Sequence, residues 1–298
     1  MKTWQIGDVK ITQVVESGGI PTSGLFFFPV ANPEFVKQYS WLKPHFANED
    51  GKLFASVHAF IIESQGRRII VDTCVGNDKN RRVKGWNRLQ TPFLENLARA
   101  GYPAESIDTV ICTHLHVDHV GWNTKLVDGK WVPTFPKARY LFGRIEWDHW
   151  SNEPLGEDAD DIVGDSVRPI VDAKLADLVE MDHRLTDEVW LEPTPGHTPG
   201  HVSVRIESQG QHAVITGDLM HHPIQCTLPD MRNNFDSDPE AARLTRREFL
   251  TRYADRPVLV LGTHFAPPTG GWIVKAGEAW EFDVTERPGS AAQRPATS

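Results

Sequence analysis

Apolar positions along the chain follow two spacings, one typical of strands and one typical of helices. Short runs rich in valine and isoleucine predict strands at residues 9–15, 56–63, 67–72, 107–112, 139–142, 201–206, 213–216 and 257–261. Apolar spacing and cap residues predict helices at residues 91–101, 144–150 and 167–178, and a last helix that begins at Asp238-Pro239. This mixture of elements is that of an α/β protein.

Turn residues set the expected bounds of several of these elements. The pair Gly18-Gly19 is expected to end the first strand, and residues 64–66 (Ser-Gln-Gly) join the next two strands as a hairpin. Thr91 can cap the first helix, Pro92 suits its first turn, and Gly101 suits its C-terminal stop. Turn and cap residues therefore separate the predicted strands and helices, as in an ordinary folded protein.

Residues 20–54 have no regular pattern, although three consecutive phenylalanines stand at positions 26–28. A long aromatic segment between strands can form a lid or a wall of a substrate site. It can equally cover one end of the core, or form the surface of a homodimer. The sequence leaves these three interpretations open.

Length and composition indicate a single soluble domain. We find no internal repeat and no linker, so we expect one domain over residues 1–284 and a frayed tail over residues 285–298. The formal net charge is −9, which disfavours nucleic acid as a partner because such binding needs clustered cations. The basic doublets Arg81-Arg82 and Arg246-Arg247 are expected to be solvated surface.

The cysteines and the N-terminus indicate a reducing compartment. Three widely spaced cysteines without a C-x-x-C motif disfavour a disulfide framework. Asp8 and Lys10 interrupt the apolar region that a signal peptide would need, and no apolar run reaches the ~18 residues of a membrane span. We therefore expect a cytoplasmic protein without a membrane partner.

A dense group of metal-ligand side chains follows the predicted strand at residues 107–112. His114 and His116 are two positions apart, so an extended segment presents both imidazoles on one side. Asp118 and His119 are adjacent, as expected where the chain turns. The first pair suits one metal ion, and the second offers oxygen and nitrogen to another ion beside it.

Further candidate ligands stand where later strands or rigid loops end, at His197, Asp218 and His264. Strand ends that meet along one sheet edge would bring them to the first group. His197 would then complete a site with His114 and His116. Asp218 would bridge two ions, with Asp118, His119 and His264 on the second. Two further residues are candidates for supporting roles: Asp72 could hold a ligand histidine, and His201 is expected to orient its loop or cap the next strand rather than to bind metal.

These motifs resemble those of the metallo-β-lactamase superfamily, in the same order along the chain. They are His114-x-His116-x-Asp118-His119, Gly196-His197, Gly217-Asp218 and Gly262-Thr263-His264. The resemblance implies a four-layer αβ/βα sandwich with a dinuclear site at one edge. It also implies two divalent ions, most simply Zn²⁺, which activate a bridging hydroxide.

Departures from other branches of the superfamily narrow the expected substrate. His116 favours zinc hydrolysis over the iron-dependent redox branch, and Asp218 stands where the best-known β-lactamases have cysteine. The chain most resembles the branch of N-acyl homoserine lactonases and organophosphate hydrolases. We therefore expect hydrolysis of a small-molecule ester, foremost a lactone. Phosphotriester or aryl-ester hydrolysis is the alternative, with a thioesterase or a metal-binding effector of low turnover behind it.

Two residues are candidates for catalytic roles beyond metal binding. Asp118 could orient the nucleophile or accept its proton while it binds metal. Lactonases of this branch often carry tyrosine three positions after the bridging aspartate, and here that position is His221. An imidazole can also donate a hydrogen bond or a proton to a leaving alkoxide, so His221 is the candidate proton donor.

Overall fold

The computed structural model describes residues 1–153 and 160–285. Its described residues divide into two compact units, the first made of Met1–Glu16 and Val57–Glu180 and the second of Ser17–Ser56 and residues 181–285. The expected single domain stays a prediction, and residues 286–298 of the expected frayed tail lie outside the described residues. Among the helices described, none combines the length and apolar character required to span a bilayer.

The strands, in chain order, are β1 (Lys2–Ile6), β2 (Val9–Thr22), β3 (Leu53–Ser64), β4 (Arg67–Val71), β5 (Thr109–Ile111), β6 (Thr124–Val127), β7 (Lys130–Pro133), β8 (Arg139–Gly143), β9 (Ala176–Val179), β10 (Val189–Pro193), β11 (Val202–Ser208), β12 (Gln211–Ile215), β13 (Val258–Leu261), β14 (Gly270–Ala276) and β15 (Ala279–Asp283). The α-helices are α1 (Gly24–Phe27), α2 (Pro33–Val36), α3 (Phe93–Arg99), α4 (Arg144–Asn152), α5 (Arg168–Asp172), α6 (Ile224–Thr227) and α7 (Pro239–Tyr253), and a π-helical turn covers Val163–Val167.

A seven-stranded sheet, in the order β1-β2-β3-β4-β5-β8-β9, lies mainly in the first unit. Its central strands β4, β5 and β8 are parallel, and such strands are buried on both faces. This explains why residues 69–71 and 109–111 are continuous buried runs rather than alternating ones. Val71 is paired with Ile111, so the residues that follow β4 and β5 leave the sheet at the same edge.

A six-stranded sheet, in the order β10-β11-β12-β13-β14-β15, lies in the second unit. Strands β12 and β13 are parallel and end together, with Ile215 paired to Leu261. The segments that carry Asp218 and His264 therefore leave the sheet side by side. Helix α7 begins at a side-chain cap, where Asp238 accepts hydrogen bonds from the backbone of Glu240 and Ala241.

The structure corrects two expectations from the sequence and contains strands that were not predicted. The predicted helix at residues 167–178 is wrong in its second half: α5 ends at Asp172, Lys174 has a φ of 58°, and the chain then forms β9 beside β8. The first predicted strand does not end at Gly18-Gly19 but continues to Thr22. Strand β1 and the hairpins β6–β7 and β14–β15 were not predicted.

The basic doublets are also not simply solvated surface. Arg81 is buried and forms a bidentate pair with Asp165. Arg246 has only 1% of its surface exposed, whereas its neighbour Arg247 is partly exposed and is paired with Asp230. One member of each doublet is therefore part of the interior.

All three cysteines are buried free thiols. Cys74 and Cys112 lie in the core of the first unit, and Cys226 lies in that of the second. Burial disfavours the thiolate and raises the pKa of each thiol above its usual value. These thiols are therefore inert in the folded protein.

Candidate metal centre

In the first unit, Asp72 holds the segment with the His-x-His motif in place. Its carboxylate accepts hydrogen bonds from the backbone N–H of Thr113 at 2.8 Å and from the Thr113 hydroxyl at 2.9 Å. It also accepts from His119 Nδ1 at 2.9 Å. The expectation that Asp72 holds one of the candidate histidines is confirmed, and that histidine is His119. The aspartate reaches these donors from a left-handed backbone, with a φ of 57°.

The same network fixes the ring of His114. Its Nδ1 lies 3.1 Å from the Thr113 hydroxyl, whose hydrogen already points to Asp72. The hydroxyl therefore accepts from Nδ1–H, and Nε2 of His114 carries the lone pair that can bind a metal. The rings of His114 and His119 lie close, with centroids 4.0 Å apart, and His116 is 4.7 Å from His114. The three histidines of the motif thus form one cluster.

Helix α4 supports the segment from its other side. The buried carboxylate of Glu146 accepts from the backbone N–H of Leu115, between the two histidines, at 3.2 Å. It also accepts from Trp150 Nε1 at 2.8 Å, and the ring of Trp150 packs edge-on against His116 with centroids 5.3 Å apart. Glu146 was not predicted from the sequence, because nothing in the local pattern distinguishes it from other helical glutamates.

In the second unit, three imidazoles surround the carboxylate of Asp218. The Nε2 atom lies 3.5 Å from that carboxylate in His197, 3.1 Å in His221 and 3.2 Å in His264. The carboxylate and all three rings are almost fully buried. Asp218, His197 and His221 offer ligand atoms within 4.8 Å of one another, which is a spacing that one metal ion can span.

The outer nitrogens of two of these rings are held by other groups. Nδ1 of His197 donates to the buried carboxylate of Asp236 at 3.1 Å, and Nδ1 of His264 donates to the carbonyl of Ser56 at 3.0 Å. A hydrogen on Nδ1 leaves the lone pair on Nε2, and Nε2 is the nitrogen near Asp218. Asp236 was not predicted from the sequence, since it lies 39 residues from its partner His197.

His201 holds the backbone of Asp218, as its predicted orienting role requires. Its Nε2 accepts from the Asp218 N–H at 2.7 Å, and its Nδ1 donates to the Thr194 carbonyl at 2.9 Å. Both ring nitrogens therefore have protein partners. Gly217 makes this approach possible, because a Cβ at that position would lie 2.5 Å from His201 Nε2.

His221 differs from the other rings around Asp218. Among residues 1–153 and 160–285, neither of its ring nitrogens has a hydrogen-bond partner of good geometry, although the side chain is buried. Its ring packs near Phe27 and Phe235, with centroids 6.3 and 6.2 Å away. Such a buried imidazole is available to a ligand that brings its own acceptor or donor.

The neighbouring histidine, His222, is purely structural. Burial penalises the charged ring and lowers its pKa to about 4, although the hydrogen bond from Nε2 to the Phe46 carbonyl acts in the opposite direction. Nδ1 of the neutral ring accepts from the Ile224 N–H. In the unfolded chain it has an ordinary pKa near 6.5.

This difference predicts a pH-dependent stability. The unfolded state binds the proton more readily, so the contribution of His222 is complete above about pH 6.5 and is lost as the pH falls toward about 4. We expect wild type to lose about 2 kcal/mol more than His222→Gln between about pH 7.5 and 5, measured by urea unfolding. An equal loss in both proteins would contradict this assignment.

The arrangement of donors fits transition-metal ions. Imidazole nitrogen and carboxylate oxygen are ligands that zinc prefers, and outer hydrogen bonds of the kind seen at His114, His119, His197 and His264 orient such ligands. The residues predicted from sequence form one cluster in each unit. In the first, Asp118 Oδ1 lies 3.7 Å from His119 Nε2, beside His114 and His116. In the second, three histidines surround Asp218.

Known proteins resemble this chain over much of its length. Residues 54–264 match the family model of the metallo-beta-lactamase superfamily. An N-acyl homoserine lactonase of Bacillus cereus is 28% identical over 174 residues, which are 53% of this chain and 61% of that protein. A probable metallo-hydrolase of Mycobacterium tuberculosis is 25% identical over 184 residues, 55% of this chain and 57% of that protein. The chain therefore spans less than two thirds of the length of these relatives.

Solved structures share the fold. AidC, a dizinc quorum-quenching lactonase solved with a product, has a TM-score of 0.78 at 20% identity and covers 96% of this chain and 97% of its own. The hydrolase AbOPH has a TM-score of 0.79 at 23% identity and covers 96% of this chain and 98% of its own. The predicted fold class is confirmed, and the chain belongs to the metallo-beta-lactamase superfamily.

Proposed function

We propose that this protein is a two-metal hydrolase that opens a lactone ring, with N-acyl homoserine lactones as the foremost substrate class. The observation that carries the proposal is the common orientation of four ligand histidines. Each of His114, His119, His197 and His264 has its Nδ1 hydrogen-bonded to a protein oxygen, which leaves Nε2 for a metal. Homologous N-acyl homoserine lactonases support the substrate class.

The proposed ligands are the seven residues that match the motifs of the superfamily. His114, His116 and His197 would hold one ion, Asp118, His119 and His264 would hold the other, and Asp218 would bridge them. Two divalent ions, most simply Zn²⁺, would supply an activated water near neutral pH and an electrophile for the substrate carbonyl. Asp118 would in addition orient the attacking water.

His221 is the proposed contact to the reacting ester. Its Nε2 lies 3.1 Å from Asp218 Oδ2, so a substrate bound beside that carboxylate would lie within reach of the ring. A hydrogen on the imidazole would stabilise the alkoxide that leaves when the ring of the lactone opens. The ring has no competing hydrogen bond among the described residues, which keeps it available.

Aromatic side chains beside His221 would contact the apolar part of the substrate. Phe26 packs on Phe27 and on Phe235, with centroids 5.0 and 5.2 Å away, and Phe235 remains 39% exposed. Most other aromatic residues between positions 20 and 54 are packed in the core of the second unit. The segment would therefore act both as a cover of the core and as a substrate wall.

A panel assay tests the proposal. Zinc-loaded protein would be offered acyl homoserine lactones, simple lactones, aryl esters, a phosphotriester and a thioester, beside chelator-treated protein as the control. We expect close to two zinc ions per chain, with the highest kcat/KM on a lactone and loss of activity after chelation. A fully active metal-free protein would refute the mechanism, and a clear preference for the phosphotriester would refute the substrate class.

His221→Phe should lower turnover of the preferred lactone by about 10²-fold while the zinc content stays the same, because the ring would contact the substrate rather than the metal. The measurements are kcat, KM and zinc per chain. His212→Phe, at a half-exposed position on β12, is the matched control and should behave as wild type. Loss of zinc from the His221 variant would instead make this residue a ligand.

A further inference from the structure

Arg246 is an unusual residue for the interior of a protein. It lies in α7 and is 1% exposed, and Phe249 and Leu250 of the same helix belong to the core of the second unit. A buried guanidinium is costly unless carbonyls or carboxylates surround it. Burial lowers the pKa of Arg246, while the neighbouring carboxylate of Asp236 acts in the opposite direction.

The partners of Arg246 are backbone carbonyls of the loop that follows Asp218. Its Nε donates to the Leu219 carbonyl at 3.1 Å, and its Nη1 donates to the Pro229 carbonyl at 2.8 Å. The Leu219 carbonyl is the one immediately after the proposed bridging aspartate. The guanidinium therefore ties the start and the middle of this loop to one helix.

The remaining nitrogen of Arg246 faces the residue that orients His197. Its Nη2 lies 3.6 Å from Asp236 Oδ2, an ion-pair contact, and Asp236 Oδ1 accepts from His197 Nδ1 at 3.1 Å. The side chain of Asp236 has no exposed surface. A guanidinium beside a buried carboxylate offsets part of the cost of burying it, and the hydrogen bond from the imidazole N–H to that carboxylate fixes the ring.

Backbone contacts make α7 the common support of the two ligands. The N–H groups of Ser237 and Asp238 donate to the carbonyls of His197 and Gly196, both at 2.9 Å. Gly196 lies so close to α7 that a Cβ there would be 2.2 Å from the Ala242 nitrogen. The loop with His197 thus rests on the first turn of the helix, and Arg246 lies farther along the same helix.

We propose that Arg246 is a positioning residue that fixes His197, through Asp236, and Asp218, through the Leu219 carbonyl, in the relative orientation needed to bind metal. The inference rests on the proposed function, since it assumes that both residues are metal ligands. Arg246 lies outside the superfamily motifs, and its effect on metal affinity would be exerted through these two neighbours. Arg246 itself touches neither metal nor substrate.

The test compares zinc affinity in variants whose fold is verified. Arg246→Met removes the charge at similar length, Arg246→Lys keeps the charge but offers fewer donors, and Asp236→Asn removes the charge of the carboxylate at constant size. Arg247→Met is the matched control, because Arg247 is the next residue of α7 and pairs with Asp230 at the surface. Zinc dissociation constants come from competition with a chromogenic chelator, and circular dichroism verifies the fold.

We expect the Arg246 and Asp236 variants to bind zinc about 10- to 100-fold more weakly than wild type, the usual effect of losing a group that orients a ligand. Cobalt-loaded protein should show altered ligand-field absorption bands in these variants and an unchanged spectrum in Arg247→Met. If Arg246→Met does not fold, the zinc affinity and the cobalt spectrum of Arg246→Lys test the inference instead.

Wild-type affinity and an unchanged cobalt spectrum in folded Arg246 variants would overturn the inference. So would an equal loss in Arg247→Met, which would indicate a general weakening of α7. If wild type itself binds no zinc, the proposed function fails, and that result is distinct from a failure of the positioning role.

Discussion

Asp218→Ala is expected to abolish metal binding and to lower lactone turnover by at least about 10³-fold, equivalent to about 4 kcal/mol of transition-state stabilisation. The reason is that its carboxylate is the common neighbour of three imidazole Nε2 atoms in the second unit. Without it the rings lose the shared anion that would also link two ions. The measurements are zinc per chain by elemental analysis and kcat/KM on the preferred lactone.

Two further variants test whether the charge of the Asp218 side chain is what binds the metal. Asp218→Asn keeps the size of the side chain, and the backbone hydrogen bond to His201 does not involve the side chain. We expect this variant to fold as wild type does but to bind metal poorly. Asp230→Ala removes a half-exposed carboxylate that pairs with Arg243 and Arg247, and it should leave metal and turnover unchanged. Two zinc ions in Asp218→Ala would contradict the bridging role.

Asp72→Ala is expected to lower both stability and metal affinity. Three buried donors lose their acceptor: the N–H and hydroxyl of Thr113, and His119 Nδ1. Unsatisfied buried donors cost about 1–3 kcal/mol each, so we expect a loss of at least about 3 kcal/mol in the free energy of unfolding. Loss of the group that orients His119 should weaken zinc binding about 10- to 100-fold.

Asp78→Ala is a matched control for the backbone at Asp72. Both aspartates have positive φ, 57° at Asp72 and 67° at Asp78, so alanine is strained at both positions. Asp78 is exposed, and its carboxylate accepts only from Gln90 among the hydrogen bonds of the described residues. The difference between the two variants, measured by urea unfolding, isolates the carboxylate of Asp72. Equal losses would show that only backbone strain matters.

The sequence identified the candidate ligands because they are local features. His114, Asp118 and their neighbours follow a strand directly, and Asp218 and His264 follow two strands that end side by side. Asp72 was predictable for the same reason, since it follows β4. The end of a strand can be predicted from the sequence alone, and parallel pairing then brings the ends of neighbouring strands together.

The residues that the sequence analysis missed act over long separations. Glu146 lies 31 residues from the backbone that it holds, and Asp236 lies 39 residues from His197. Arg246 was expected at the surface because charged residues usually are, and only the folded loop reveals why it is buried. The helix expected at residues 167–178 failed for a related reason: pairing with β8 overrides the helical preference of residues 176–179.

The three buried cysteine thiols can serve as native probes of unfolding. A thiol reagent reaches such sulfur atoms only when the surrounding core opens, so the labelling rate measures local opening rather than intrinsic thiol reactivity. Cys74 and Cys112 report on the core of the first unit and Cys226 on that of the second. Mass spectrometry of the labelled peptides would therefore measure the opening of the two units separately, without any engineered probe.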